Sequence, residues 1–352
     1  MNGSDALEFE GSHMLRAAAA SKIRNRLSTS SMNRALAAGV LVAFAAGHCG
    51  ASPVTAEPLQ QQLSDISGQA YYEGAFTLID LPAGDLMEAL PDLSGLVPAA
   101  DQQPLPRLLS ELGKNVEEAY QKFTEVIAHE KVTRVQCGPA GRLETIARQE
   151  FTYLIIPHHE EGLERIEEYR TATGGKPKQS LEAGTLSTEG FAVMWALFYP
   201  GNQYGSRFRY LGQQPFGEHQ ANVIGFAQRP GWSSVKGFEY LRPVGGPVLI
   251  LYQGVVWVDT ATNKILKMQA ELLKPRLDIK LELLSTEIRF GEVHVSDAAS
   301  TLLWVPLQVT VTTVWNGQVL RDEHLYSNYK LPGSNTKILA VPAKTQPPSK
   351  TN

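Results

Sequence analysis

The chain has 352 residues, of which 43% are hydrophobic, 8% aromatic and 19% charged, and its formal net charge is −4. This composition is typical of a globular protein with a full hydrophobic core, and it excludes a disordered or collagen-like chain. Because phosphate binding needs a basic surface and this chain is mildly acidic, we expect no nucleic-acid partner.

Residues 1–56 are predicted to be a leader that ends in a secretory signal peptide. The uncharged apolar run Ala35–Ala46 has 12 residues, whereas a membrane-spanning helix needs about 20. Five basic and no acidic residues lie between positions 16 and 34, and Val54-Thr55-Ala56 has the small-x-small pattern of a cleavage site. The sequence therefore predicts export to the periplasm. The alternative is a buried Ala-rich helix.

The sequence contains two cysteines, and both bear on processing. Acylation of Cys49 would place the protein at the periphery of the outer membrane, but Ala46-Gly47-His48 lacks the large aliphatic residue with which such a signal begins. If cleavage follows Ala56, Cys137 is left alone, so no internal disulfide is expected and its thiol is structural.

The next part of the chain, residues 57–104, is predicted to be an irregular N-terminal segment with short helices. An amphipathic helix follows, because apolar residues recur at spacings of three and four from Leu105 to Phe123. Pro106 suits the first turn of this helix, where the missing N–H group would have had no helical partner.

After Phe123 the apolar period falls to two residues, which predicts about ten antiparallel strands joined by short links. The clearest strand is Lys264–Leu273, in which apolar and polar residues alternate. A change of phase near Leu283-Leu284 predicts a β-bulge, and Asn316-Gly317 predicts a two-residue hairpin turn. The last residues, 336–352, are predicted to be a disordered tail.

One helix interrupts the strands and is apolar on every side. Ser187 or Thr188 is predicted to cap it, Phe191–Tyr199 form its body and Pro200 ends it. A helix that is apolar all round cannot lie on an outer surface, and this one is too short to cross a membrane. We therefore expect it to lie inside the concave face of a strongly curved sheet.

These features resemble the outer-membrane lipoprotein carrier superfamily (LolA-like and LolB-like proteins), and three local motifs carry the resemblance. Gln253–Lys267 is similar to a hairpin pattern of that superfamily, G-x-hydrophobic-W-hydrophobic-D-x-x-T. Trp304-Val305-Pro306 resembles the segment before its last strand pair, and Asn328-Tyr329-Lys330 resembles its terminal strand. The resemblance covers residues 105–331.

The resemblance implies a fold and a mode of binding. The fold class is mainly β with α: a half-barrel of ten or eleven antiparallel strands wrapped over helices, spanning residues 105–335. A hydrophobic cavity would hold acyl chains and be gated by the helices, without a cofactor. Arg134 and Arg148 are the candidates for an arginine that the carrier uses in its strand core.

The cavity walls are predicted to come from the apolar helix and from the clearest strand. The helix supplies Met194, Trp195 and Phe198, and the strand supplies Leu266, Met268, Ala270 and Leu272. The alternative is that these residues are ordinary core, which is the more common role of such side chains.

No catalytic or metal-binding residue is predicted. His158-His159-Glu160-Glu161 contains good zinc ligands, but neighbours on a strand point to opposite faces, which favours a solvated hairpin tip within Pro157–Gly162. His129-Glu130 begins like a zinc-protease helix, but Thr133 stands where the second histidine is needed.

The sequence as a whole predicts an exported, non-enzymatic monomer that binds a lipid, an acyl chain or a lipoprotein in its cavity. Carriage of that ligand across the periplasm is what the resemblance implies. The rival hypothesis is a structural or envelope-assembly factor that binds an envelope protein through the sheet and has no ligand cavity.

Overall fold

The structure is a computed structural model that describes residues 69–122, 126–137, 143–160, 163–172, 193–231, 239–241, 247–295 and 301–330. Three predicted features lie outside the described residues: the leader at residues 1–56 with Cys49, the helix start at residues 187–192, and the tail at residues 336–352.

Most of the described chain is β-strand. The strands are β1 (Val97–Pro98), β2 (Val126–Cys137), β3 (Leu143–Glu160), β4 (Leu163–Ala172), β5 (Ser206–Phe216), β6 (His219–Gln228), β7 (Glu239–Leu241), β8 (Pro247–Leu249), β9 (Tyr252–Asp259), β10 (Ile265–Leu272), β11 (Leu281–Val295), β12 (Thr301–Trp315) and β13 (Gln318–Lys330). Eleven of them form one sheet in the order β1-β5-β6-β9-β10-β11-β12-β13-β2-β3-β4, and β7 and β8 form a separate pair. All neighbours are antiparallel and β1 and β4 are the edges, so the predicted open antiparallel sheet is confirmed.

Helices pack on both faces of this sheet. The described residues include the α-helices α1 (Ala83–Ala89), α2 (Leu105–Lys122) and α3 (Val193–Ala196), a helical stretch at residues 69–71, and 3₁₀ turns at Leu78–Asp80, Pro91–Leu93, Pro200–Gly205 and Leu277–Ile279. Helix α2 begins at the predicted residue, Leu105. Helix α3 ends at Ala196, three residues before the predicted end at Tyr199, and a 3₁₀ turn begins at Pro200.

The inner face of the sheet is the face that carries α2 and α3. Leu112 and Val116 of α2 join Met268 of β10 in one hydrophobic cluster with the segment from Met194 to Phe198. The Trp195 ring stacks on Phe290 of β11, with the ring centroids 5.1 Å apart. The residues from Met194 to Phe198 are all buried, so the prediction that this apolar segment is enclosed by the sheet is confirmed.

The outer face is covered along part of the sheet by the N-terminal segment. Leu86 and Leu93 of this segment pack with Val223 of β6 and Trp257 of β9. The sequence neighbours of these strand residues, Ile224 and Val256, belong to the inner cluster instead, and alternate residues of a strand face opposite ways. Residues 69–96 of the predicted irregular segment therefore form a second layer with short helices, here called the outer layer.

A β-bulge in β10 changes which residues face inward. The register with β9 shifts between Ile265 and Lys267, and such an insertion breaks the alternation of faces. Ile265 and Met268 consequently point into the inner cluster, whereas Leu266 packs in the outer one. The predicted common face of Leu266 with Met268 is therefore wrong.

Two turn and bulge predictions are confirmed in the second half of the chain. The register between β11 and β12 shifts between Leu281 and Leu283, next to the predicted bulge. Asn316 and Gly317 join β12 to β13 with φ of 50° and 73°, the positive values that a type I′ hairpin turn needs.

Other strand boundaries differ from the prediction. The predicted turn Pro157–Gly162 is mostly strand, because β3 continues to Glu160, which pairs with Leu163 of β4. His158 and His159 accordingly lie within β3 rather than at a hairpin tip. The short strand β1, paired to β5 at the sheet edge, was not predicted, since two residues carry no periodic signal.

Candidate ligand-binding site

A small pocket lies between α2 and the inner-face ends of β10 and β12. Its volume is about 80 Å³. Its inner wall is apolar and buried, formed by Leu112, Val116, Trp195, Ile265 and Leu303. Its mouth is half-buried or exposed and is formed by Asn115, Glu118, Ala119, Lys264, Leu302 and Trp304. The pocket thus has an apolar interior and polar side chains at its rim.

Helix α2 is attached to the sheet at this mouth by one amide. The Asn115 side-chain Nδ2 donates to the backbone oxygens of Thr262 and Asn263, at 3.2 and 3.3 Å, and to Glu111 of its own helix at 3.1 Å. Asn115 is placed there because residues three and four apart share one face of a helix, so it follows Leu112 toward the sheet.

The turn between β9 and β10 is built by the Asp-x-x-Thr motif. Asp259 Oδ2 accepts hydrogen bonds from the Thr262 backbone N–H at 2.9 Å and from its hydroxyl at 2.7 Å. Burial alone would raise the pKa of Asp259, but the hydrogen bonds from Thr262 and His219 outweigh burial and lower it. Asn263 adopts a left-handed φ of 54°. This fixed turn directs the following residue, Lys264, to the pocket mouth.

The Lys264 ammonium lies over an aromatic face. Its Nζ is 5.1 Å from the centroid of the Trp304 ring. The indole is held in turn by a 2.7 Å hydrogen bond from its Nε1 to the backbone oxygen of Ile265. The Lys264 Nζ also lies 4.0 Å from the Glu292 Oε2. An ammonium so placed is attracted by the ring and only weakly neutralised.

The predicted wall residues divide into two groups. Six of them share the inner hydrophobic cluster, and these are Met194, Trp195, Phe198, Met268, Ala270 and Leu272. Trp195 is the one of these that lines the pocket described above. Leu266 packs in the outer cluster, because of the β10 bulge. Lining of a larger ligand cavity by the other inner residues stays a prediction.

A buried polar cluster, which the sequence analysis missed, lies on the inner face of β2, β13 and β4. Glu130 is fully buried and accepts hydrogen bonds from Arg170 Nε at 2.6 Å, from Arg170 Nη2 at 3.1 Å and from the Tyr326 hydroxyl at 2.8 Å. Its Oε1 is also 2.9 Å from His324 Nδ1. Glu130 stands between the inward residues Ala128 and Val132. A charged residue at an inward position of an otherwise apolar alternation was the sequence signal that could have indicated a buried polar cluster.

The charges of this inner polar cluster determine its protonation. Burial would raise the pKa of Glu130, but His324 and Arg170 outweigh it and lower the pKa to about 2. For His324, burial is the larger effect and lowers its pKa, despite the opposing contact with Glu130. A carboxylate with a pKa this far below neutrality is a poor general base. The contacts of Glu130 join β2 to β4 and β13.

The two arginine candidates have different environments. Arg134 is buried and forms a bidentate pair with Asp322, with Nε–Oδ1 and Nη2–Oδ2 distances of 2.7 and 2.6 Å. Arg148 is exposed on β3. Arg134 is therefore the candidate that lies in the strand core, where its pair links β2 to β13.

Within the described ranges, no group of three or more His, Cys, Asp or Glu side chains is arranged to hold a metal ion. None of the helices in the part of the chain that the structure covers is long and apolar enough to span a bilayer.

Comparison with known proteins finds similarity at the level of structure. No family model matches the chain, and no curated protein is similar to it in sequence. A DUF1329 family protein from Desulfovibrio piger has a TM-score of 0.37 and 10% identity, covering 66% of this chain and 95% of its own. An outer membrane lipoprotein-sorting protein domain from Vibrio parahaemolyticus has a TM-score of 0.34 and 13% identity, covering 64% and 93%. A LolA superfamily protein from Nitrosomonas europaea has a TM-score of 0.30 and 10% identity, covering 63% and 94%.

Proposed function

We propose that this protein is an exported, non-enzymatic binder of an acyl chain, carried by a lipid or a lipoprotein, and that it moves this ligand across the periplasm. One observation carries the proposal: the apolar pocket between α2 and the inner face, which opens to solvent at a polar mouth. An apolar recess with a few polar groups at its rim is the usual form of a small-ligand site.

The size of the pocket limits what it accepts in this conformation. Its volume of about 80 Å³ is roughly half that of an engineered apolar cavity of about 150 Å³ that binds benzene. Only the end of an acyl chain fits. Each buried methylene contributes about 0.8 kcal/mol, so a few carbons give weak binding and a longer chain needs more space.

Displacement of α2 would supply that space. Polar contacts between α2 and the rest of the described chain include those of Asn115, a 3.0 Å hydrogen bond from Gln203 Nε2 to the Leu109 oxygen, and a 3.4 Å hydrogen bond from the Tyr199 hydroxyl to Glu117. The apolar stripe of the helix packs in the inner cluster. An acyl chain is also apolar. Its contacts with the inner face would therefore replace those of the α2 stripe with little loss of free energy.

The setting of this activity follows from the predicted leader. We propose a monomer in the periplasm, or at the periphery of the outer membrane if Cys49 is acylated. Mass spectrometry of the secreted protein tests this setting, because cleavage after Ala56 and acylation of Cys49 give different masses.

The test of the proposed function is acyl-chain retention. We expect the purified mature chain to release lipid on solvent extraction and to shift the emission of an acyl-chain fluorophore. Ala119→Trp fills the pocket mouth and is expected to abolish both signals. Ser110→Trp, at an exposed position of the same helix, is the matched control and keeps them. An empty wild-type protein that leaves the fluorophore unshifted contradicts the proposal.

A second function is favoured by a different observation. Five of the predicted wall residues are packed into the inner core without lining the pocket. A filled interior is what an envelope-assembly factor that binds a protein through its sheet would have. That function predicts an empty protein on extraction and a specific partner recovered by crosslinking in cells.

A further inference from the structure

The charges at the pocket mouth indicate which end group the ligand carries. Lys264 is the one cation among the described residues that line the pocket, and Glu118 of α2 is the one acid. An acyl chain that enters the apolar interior must leave its polar end at this mouth, because the inner wall offers it only buried hydrophobic side chains.

Lys264 is placed to meet that end group. Its backbone is held on both sides: its oxygen accepts from the Asp259 N–H at 2.9 Å, and its own N–H lies 3.4 Å from the Thr262 hydroxyl. Its ammonium lies over the Trp304 ring. A cation held at the mouth of an apolar pocket can bind an anion without rearrangement of the surrounding chain.

The existing partner of Lys264 is easily exchanged. The Nζ to Glu292 Oε2 distance of 4.0 Å is too long for a hydrogen bond, and the Lys264 and Glu292 side chains are 35% and 44% exposed. Ion pairs of this kind add little stability. A ligand anion that reaches hydrogen-bond distance therefore replaces Glu292 with a net gain.

Glu118 limits how much negative charge the mouth accepts. It lines the same mouth from the helix side, so a second negative charge on the ligand would meet a like charge. Resting on the proposed acyl-chain function, we propose that the pocket selects acyl chains that end in a single negative charge, namely free fatty-acid carboxylates. The carboxylate pairs with Lys264.

The test compares two ligands that differ only in the end group. Decanoate and decanol are titrated at pH 8 and low salt, below the concentrations at which they form micelles. The wild-type chain is expected to bind decanoate about fivefold more tightly than decanol. Lys264→Gln is expected to remove this preference, so that decanoate and decanol bind the variant with similar affinity. Glu118→Gln increases the preference for decanoate.

The controls separate failure of this inference from failure of the proposed function. Lys114→Gln removes a lysine from an exposed position of α2, 63% exposed, and is expected to keep the wild-type preference. If both ligands bind and Lys264→Gln leaves their affinity ratio unchanged, the charge selection is wrong and acyl-chain binding stands. If neither ligand binds, the acyl-chain function falls and the selection with it.

Discussion

In the sheet order, the first half, from β1 to β10, is built differently from the second half, from β11 to β4. The pocket, which β10 and β12 line, lies close to where the two halves meet. In β6 and β9, every residue from Ala221 to Gln228 and from Tyr252 to Asp259 is buried. In β13 the buried residues Asp322, His324 and Tyr326 alternate with partly or fully exposed ones. The first half is thus a middle layer, covered on both faces, and the second half has one exposed face. The outer layer is the cause of the difference.

The two halves also place their charges on opposite faces. In the second half, Glu130 and Asp322 lie on the inner face with their arginine partners. In the first half the buried Lys267 lies on the outer side, 3.1 Å from Asp92 of the outer layer. Its Nζ is also 5.0 Å from the Trp257 ring centroid.

The largest expected effect is in the second half. Glu130→Gln removes the carboxylate that pairs with the buried Arg170 at 2.6 Å and is expected to lower the free energy of unfolding by about 3–5 kcal/mol, measured by denaturant titration. Glu150→Gln is the matched control, because Glu150 contacts His129 on the exposed face at 3.3 Å, and we expect a change below about 1 kcal/mol. Equal effects would show that the inner polar cluster does not hold this half together.

The contribution of the same cluster to stability can also be tested by lowering the pH, which protonates its side chains. The folded-state pKa values of Glu130, about 2, and of His324 are both lowered relative to the unfolded chain. Their contribution is therefore present above the unfolded values and lost as the pH falls through the folded ones. We expect Glu130 to account for about 3 kcal/mol of lost stability between roughly pH 5 and 2.

The control for the acid series is the variant that lacks the carboxylate. Glu130→Gln is expected to show a flatter dependence of unfolding free energy on pH than the wild type over the same range. Parallel curves for the two proteins would mean that other groups cause the acid sensitivity.

Packing of the outer layer on the first half is expected to contribute a comparable or smaller amount to the free energy of unfolding. Leu93 is fully buried between this layer and the sheet, and Leu93→Ala is expected to cost about 3 kcal/mol in one cooperative unfolding transition. Val97→Ala is the control at a 67% exposed position, with a change within about 0.5 kcal/mol. Two separate transitions in the wild type would show instead that the outer layer unfolds on its own.

The smallest expected effect concerns the attachment of α2. Asn115→Ala removes the hydrogen bonds to the β9–β10 turn and is expected to cost about 1 kcal/mol. It should also speed uptake of the acyl-chain fluorophore in stopped-flow measurements, because α2 separates more easily. Ser110→Ala changes neither. A slower or unchanged uptake in Asn115→Ala would argue against displacement of α2 as the route of entry.

The sequence predicted the elements whose signals are local. Helix α2 has an unbroken apolar stripe, and Asn316-Gly317 is a two-residue turn with few alternatives, so both were found where they are. The all-apolar segment before Pro200 was correctly placed against the sheet, because no other environment accepts a helix without a polar side.

The features that were missed depend on distant partners. The outer layer binds the sheet through scattered leucines such as Leu86 and Leu93, which have no period to read. The bulge at Leu266 needs the register with β9, which one strand does not reveal. Glu130 meets Arg170, His324 and Tyr326 only when strands far apart in the chain become neighbours.

The most direct measurement is a decanol titration followed by methyl and indole NMR of the mature chain. We expect shifts at the inner pocket wall, in the Val116 and Leu303 methyls and the Trp195 indole, with no shift of the Leu93 and Leu266 methyls in the outer cluster. Shifts confined to the outer cluster, or none in either place, would contradict binding between α2 and the sheet.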